Sequence, residues 1–298
     1  MKQRIPDLIG GTPTRRSFLL GAGAVTAAAV VTGCGGGTST TSPTNPTSPT
    51  LTDADYLNFA LNLEYLEAEF YLRAATGNGL TSADTGNSSS KTTGGAQVTG
   101  LTMLQSEYMY EIAQNELDHV RFLRNALGSG AVSAPTIDLT NSFNALASAA
   151  GLGSTFNPFS SYSNFLIGAF IFEDVGVTAY HGAAKLLTSK TNLTAAAEIH
   201  AVEAYHAASI RSQIVVAGSA LIATANAVEN VRSTLGGGNE TTLSATGIVA
   251  ADPTTSIGFE RNTDQVLHIV YGTGNGAGVK GGAFFPSGLN GNISTTTT

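Results

Sequence analysis

Four long stretches between residues 53 and 217 carry glutamate in a repeating order: a lone Glu, a Glu-x-x-His, a lone Glu, and a second Glu-x-x-His. The residues are Glu64, then Glu116 and His119 in "ELDH", then Glu173, then Glu203 and His206 in "EAYH". Side chains three apart on a helix project from one face, so each Glu and its His can reach the same point. The chain has 12 Glu and 5 His in 298 residues. At that frequency chance supplies about 0.2 Glu-x-x-His pairs, so two of them on alternating helical stretches constrain the fold.

Each stretch is helical by pattern. Residues 53–75 place Tyr56, Phe59, Ala60, Leu63, Leu66, Phe70 and Tyr71 at three- and four-residue steps, with Thr52 as N-cap and Gly77 as stop. The second helix is expected over 101–127, ended by Gly128, and the third over 162–187, apolar almost all round. The fourth is expected to run from a cap at Thr194 to about residue 217. "NSFNALASAA" reads as a short helix and "SALIATANAVENVRSTL" as a further one that stops at "GGG". Strand-type alternation is almost absent before the last 60 residues, which are Gly-rich and irregular. The expected fold class is all-α: a four-helix bundle over 53–235 with an additional C-terminal helix, and an irregular extension over 236–298 packing on it. Sites in such bundles are built from side chains that face the bundle centre.

Four carboxylates and two imidazoles offer oxygen and nitrogen ligands suited to iron or manganese. Two divalent ions would match the four negative charges of Glu64, Glu116, Glu173 and Glu203. Without cations, carboxylates facing one another in an apolar bundle repel and take up protons. A purely structural core has little use for Glu173 inside "GAFIFEDVGV". Tyr71 and Tyr180 each follow a lone Glu by seven residues, two helical turns, and are expected to hydrogen-bond into the carboxylates. Glu198 and Tyr205 share that spacing, so the order of elements carries the argument and the spacing alone does not. His200, one turn before Glu203, is a further candidate neighbour of the ligands. Glu67 competes with Glu64 but has no Tyr seven residues on. Glu69, Glu107, Glu111 and Asp174 read as surface charges, and His181 and His268 as structural. "GTGNGAGVKGG" has neither a preceding strand nor a following helix, so it reads as a loop and not a nucleotide site.

The N-terminus points to export. "TRRSFLL" leads into the short apolar run "GAGAVTAAAVV" and ends in "TGC". Arg15-Arg16 followed by Ser-Phe-Leu resembles a twin-arginine signal, and "VTGC" resembles a bacterial lipobox whose cysteine, Cys34, is lipidated. Residues 1–33 are therefore expected to be removed, with 34–52 forming the anchor and a Ser/Thr/Pro tether. The expected location is the periplasm or cell surface. Cys34 is the single cysteine, so no intrachain disulfide can form. Loss of residues 1–33 leaves 10 basic and 20 acidic residues, a formal charge of −10 in place of −7. That balance argues against nucleic acid as a partner.

The whole pattern resembles the ferritin-like di-iron carboxylate superfamily. "LNLEYLEAEFY" and "QVLHIVYG…GGAFFPSGLNG" are similar to bacterial ferritin-like proteins related to plant desiccation-associated proteins. The resemblance implies a ferritin-like bundle holding two Fe ions, or Mn ions. It implies Glu64 and Glu173 as terminal ligands, Glu116 and Glu203 as bridges, and His119 and His206 as one imidazole for each metal. It also implies oxidation of Fe(II) by dioxygen or hydrogen peroxide. A manganese catalase-like peroxide dismutase and a non-enzymatic, desiccation-linked structural protein use the same residues and stay open. A closed storage shell is not expected, because the anchor and the extension obstruct it; smaller homo-oligomers are allowed.

Overall fold

The computed structural model describes residues 50–298. The export signal, Cys34 and the tether up to residue 49 lie outside the described residues. Helix α1 is Asp53–Thr76. Its start is held by the Asp55 carboxylate, which accepts from the Thr52 backbone N–H and hydroxyl, both at 2.7 Å. It ends at Gly77, whose left-handed φ of 82° suits glycine. Helix α2, Met103–Leu127, starts two residues later than the pattern predicts because Thr102 and Gln105 form the capping box.

Helices α3 (Asn141–Ala149), α4 (Tyr162–Ala184), α5 (Lys190–Ala217) and α6 (Ser219–Leu235) follow. Thr194 is not the cap of α5. The Ser189 side chain accepts from the Asn192 N–H, and the Asp53 carboxylate of α1 binds Thr188, Ser189 and Asn192. A tertiary partner therefore moves the start of α5 back by a turn. Strands β1 (Thr92–Thr93) and β2 (Ile137–Asp138) form a minimal parallel pair. Helix α7, Thr263–Tyr271, lies in the extension read as irregular. An Asn262/Gln265 capping box starts it, and its apolar run "VLHIVY" is buried.

Helix α1 packs most extensively on α2, and α4 on α5; the two pairs meet along α1 and α4. Phe70 of α1 fills that seam, with ring centroids 5.2–6.0 Å from those of Phe143, Phe159, Phe165 and Phe172. The extension closes over the bundle. Asn62 of α1 and Asn290 exchange two hydrogen bonds of 2.9 and 3.0 Å, and Phe284 packs on Phe143 and Phe172.

Two expected surface charges are buried. Glu69 accepts from Arg73 Nε at 2.6 Å and the Leu80 N–H at 3.1 Å. Asp174 accepts from two buried arginines, Arg211 at 2.7 Å and Arg232 at 2.8 Å. Glu107 and Glu111 are exposed, as expected. No helix of the described residues is long and apolar enough to cross a membrane.

Candidate metal centre

The lone glutamates come from α1 and α4, and the Glu-x-x-His pairs from α2 and α5, so each helix of the bundle supplies one element. All six side chains turn inward. Glu64, Glu116, Glu173 and Glu203 are at most 1% exposed, and His119 and His206 are buried. Their ligand-type atoms form two groups, Glu64–Glu116–His119–Glu203 and Glu116–Glu173–His206, within which the atoms lie no more than 4.8 Å apart. Glu116 belongs to both.

The imidazoles point Nδ1 at the carboxylates. His119 Nδ1 stands 3.3 Å from Glu64, 3.4 Å from Glu116 and 3.3 Å from Glu203. His206 Nδ1 stands 2.9 Å from Glu116 and 3.6 Å from Glu173. The outer nitrogen of His206, Nε2, meets Asn115 Oδ1 at 3.0 Å. A proton on Nε2 leaves the Nδ1 lone pair facing inward. Asn115 was not singled out by sequence; its only signal is its place next to Glu116.

The tyrosines act across the bundle. Tyr71 on α1 donates to Glu173 Oε1 on α4, and Tyr180 on α4 donates to Glu64 Oε1 on α1. In both glutamates the other oxygen, Oε2, is turned to the centre and makes no hydrogen bond. Burial first, then the adjacent carboxylate, pushes both phenols well above their usual range, so they remain donors.

The protein alone does not satisfy this centre. Eight buried atoms lack a hydrogen bond: Glu64 Oε2, Glu173 Oε2, both oxygens of Glu116 and of Glu203, and Nδ1 of His119 and His206. Buried polar atoms in native proteins are rarely left so. Each of the two groups, with its carboxylate oxygens and inward imidazole nitrogen, could hold a metal ion. Without them protons do the balancing. Burial raises Glu64 to about 8 against the pull of His119. It also raises Glu173 and Glu203, where like charges add to it. Burial acts on Glu116 too, but His119 and His206 outweigh it and hold that carboxyl at about 2. Burial opposes charge on the histidines, yet Glu173 and Glu116 lift His206 to about 10, and Glu64 with Glu116 lifts His119.

His200 does not join the centre. Its ring lies tilted beside that of His181, with centroids 5.9 Å apart. His181 is bonded to the Phe259 carbonyl and His268 to that of Thr273. Glu67, one turn along α1 from Glu64, does come in: it is buried, and the charges it feels most are those of Glu203, Glu116 and Glu64.

A family model for the ferritin-like domain matches residues 52–215. The chain is similar to a ferritin-like catalase, Nec2, of Nesocodon mauritianus: 28% identical over 264 residues, covering 81% of this chain and 84% of that protein. It is also similar to a desiccation-related protein, PCC13-62, of Craterostigma plantagineum: 30% identical over 166 residues, 54% of this chain and 52% of that one.

Proposed function

As the chain belongs to the ferritin-like domain family, we propose that its two Glu/His groups hold two metal ions and that this centre consumes peroxide or dioxygen, oxidising Fe(II). The observation that carries the reading is the set of eight buried, unbonded donor atoms in two groups that share Glu116. Glu64 and His119 would hold one ion, Glu173 and His206 the other, with Glu116 between them and Glu203 beside the first. Two ferrous ions held there would supply the two electrons that, with two protons, reduce hydrogen peroxide to two waters.

The protein's own part is positional. Tyr71 and Tyr180 fix one oxygen of Glu173 and of Glu64, so the second oxygen of each faces inward. Asn115 orients His206. The apolar walls limit water, which strengthens every charge interaction inside. The N-terminal motifs add a location: an exported protein held to a membrane through Cys34. Replacing Cys34 with Ala should release the mature protein from membranes.

Anaerobic loading with Fe(II) followed by oxidant should give ferric absorbance at two irons per chain, lost in Glu116→Ala. Absence of bound metal from protein purified out of its native host sinks the reading. Similarity to a ferritin-like catalase favours a second chemistry, peroxide disproportionation, for which the same oxygen and nitrogen ligands would hold manganese. Oxygen release from peroxide with manganese bound, and none with iron, selects it. Similarity to a desiccation-related protein keeps a non-enzymatic role in view. That role requires that His119→Ala with His206→Ala change only the melting temperature.

A further inference from the structure

The centre has two unlike sides. Toward α2 and α5 lie His119, His206 and the partly exposed Asn115, a polar approach. Toward α1, α4 and α7 lies a cavity of about 20 Å³ with almost entirely apolar walls, among them Leu63, Leu66, Val175, Val270 and Phe284. Glu67 is the one ionisable residue in its wall.

This cavity touches the centre through Gly176. A Cβ at that position would collide with Glu203 Oε2 and stand 3.2 Å from Glu67 Oε1. Glycine therefore thins the wall to backbone and hydrogen where the cavity meets a candidate ligand. Leu63 and Phe172, also in the wall, directly precede Glu64 and Glu173. The cavity is thus built on the turns that carry the centre.

Its size and lining select an occupant. A water-sized guest needs about 10–15 Å³ of such volume, but a water also needs two to four polar partners, and an apolar cavity stays dry and takes apolar guests such as xenon. One carboxyl cannot supply those partners. Hydrogen peroxide, with two donors and four lone pairs, is no better served. A two-atom apolar molecule suits both the volume and the walls.

We propose that the cavity behind Glu67 and Gly176 is a dioxygen site, through which dioxygen reaches the centre separately from peroxide. The proposal rests on the two-metal reading and adds the oxidant and its path.

Crystals of the protein pressurised with xenon, which needs no metal, should show xenon between Leu66, Val175 and Val270. Val270→Phe should abolish that peak, and the milder Val270→Leu should weaken it. In iron-loaded protein, Val270→Phe should lower the ratio of the dioxygen rate to the peroxide rate at least fivefold, and Val270→Leu by less. Should Val270→Phe not fold, Val270→Leu carries the test with an expected fall of at least twofold. Absence of xenon, or an unchanged rate ratio in the folded variant, overturns the dioxygen site and leaves the two-metal reading standing. Failure of both oxidants to oxidise Fe(II) in the unaltered protein overturns that reading and the site with it, whether or not xenon binds.

Discussion

Glu173 and Asp174 are neighbours on α4, yet they serve two buried charged clusters of opposite design. Glu173 faces the carboxylate centre, where eight donor atoms have no hydrogen bond. Asp174 faces three buried arginines, Arg211, Arg232 and Arg261. There Asp174 accepts from Arg211 and Arg232, while Glu240 accepts from Arg232 at 2.6 and 2.7 Å and from Arg261 at 2.6 Å. Other guanidinium donors reach the Thr178 hydroxyl and backbone carbonyls of Phe170, Thr241, Ile248 and Gly238. Of the guanidinium nitrogens, only Arg261 Nε is left buried without a partner among the described residues. Burying charge is tolerable only when partners replace the lost water. The arginine cluster carries its partners in the chain. The glutamate cluster lacks them, and that difference is why the second reads as a site and the first as a structural fixture.

Removing one member should separate the two most sharply. Asp174→Ala strands two buried guanidinium groups and is expected to cost about 3–5 kcal/mol, as other broken buried pairs do. Thermal unfolding should show a fall of about 2–4 °C for each kcal/mol. Glu173→Gln should do the reverse in metal-free protein. The folded pKa of Glu173 lies well above its usual value, so the proton it holds is worth stability at low pH that is lost as pH rises. Gln avoids that loss, so the metal-free variant should melt at or above the parent temperature at pH 8. It should also lose the rise in melting temperature that added Fe(II) or Mn(II) gives the parent, about 4 kcal/mol at a thousandfold excess over Kd. A large loss of metal-free stability in Glu173→Gln would mean that this cluster, too, is complete without cations.

Protons are the next lever. Glu64, at about 8, and His206, at about 10, must release protons before their inward atoms can bind metal. Apparent metal affinity should therefore climb at least tenfold per pH unit between pH 6 and 8, measured by competition with an indicator chelator. A plateau above pH 6.5, as for unperturbed histidines, would contradict the proton-balanced centre. A smaller effect is expected from Tyr71→Phe and Tyr180→Phe. Each frees a carboxylate to turn, and partners of this kind are worth about 10–100-fold in metal affinity. Loss of the hydrogen bond should cost about 1 kcal/mol of metal-free stability.

The two clusters were unequally legible in the sequence. The six residues of the centre announce themselves because Glu-x-x-His is local, and because a Glu inside "GAFIFEDVGV" needs a reason. Tyr71 and Tyr180 could be placed on the right faces by their seven-residue spacing. That each reaches across to the other helix's glutamate depends on how α1 and α4 pack. Asp174 was misread as a surface charge because its partners lie 37 and 58 residues away and no local pattern joins them. Glu69 was misread likewise, since Arg73 is its visible i+4 partner but the covering loop at Leu80 is not visible. His200 fails for another reason: a position one turn from a ligand does not determine which neighbour its ring meets, and here that neighbour is His181. Local spacing carries a site built on single helices, while long-range ion pairs and caps need the fold.

Glu229 on α6 tests the edge of the comparison. It is buried near the arginine cluster, yet neither of its oxygens has a hydrogen bond. Burial raises it to about 7 against the pull of Arg232. Below about pH 4.5 it is protonated whether the chain is folded or unfolded, and its contribution is fully present. Between there and pH 7 the unfolded chain ionises first, so stability falls as pH rises. Glu229→Gln removes that fall. With screening by water and the nearby arginines, the gain should be about 1 kcal/mol at pH 8 and vanish below about pH 4.5. Melting curves of the two proteins across that range would show the gap opening. A gap that favours the parent at pH 8 would make Glu229 a third ionised partner of Arg211, Arg232 and Arg261, and the arginine cluster would then be matched one to one, three acids to three bases.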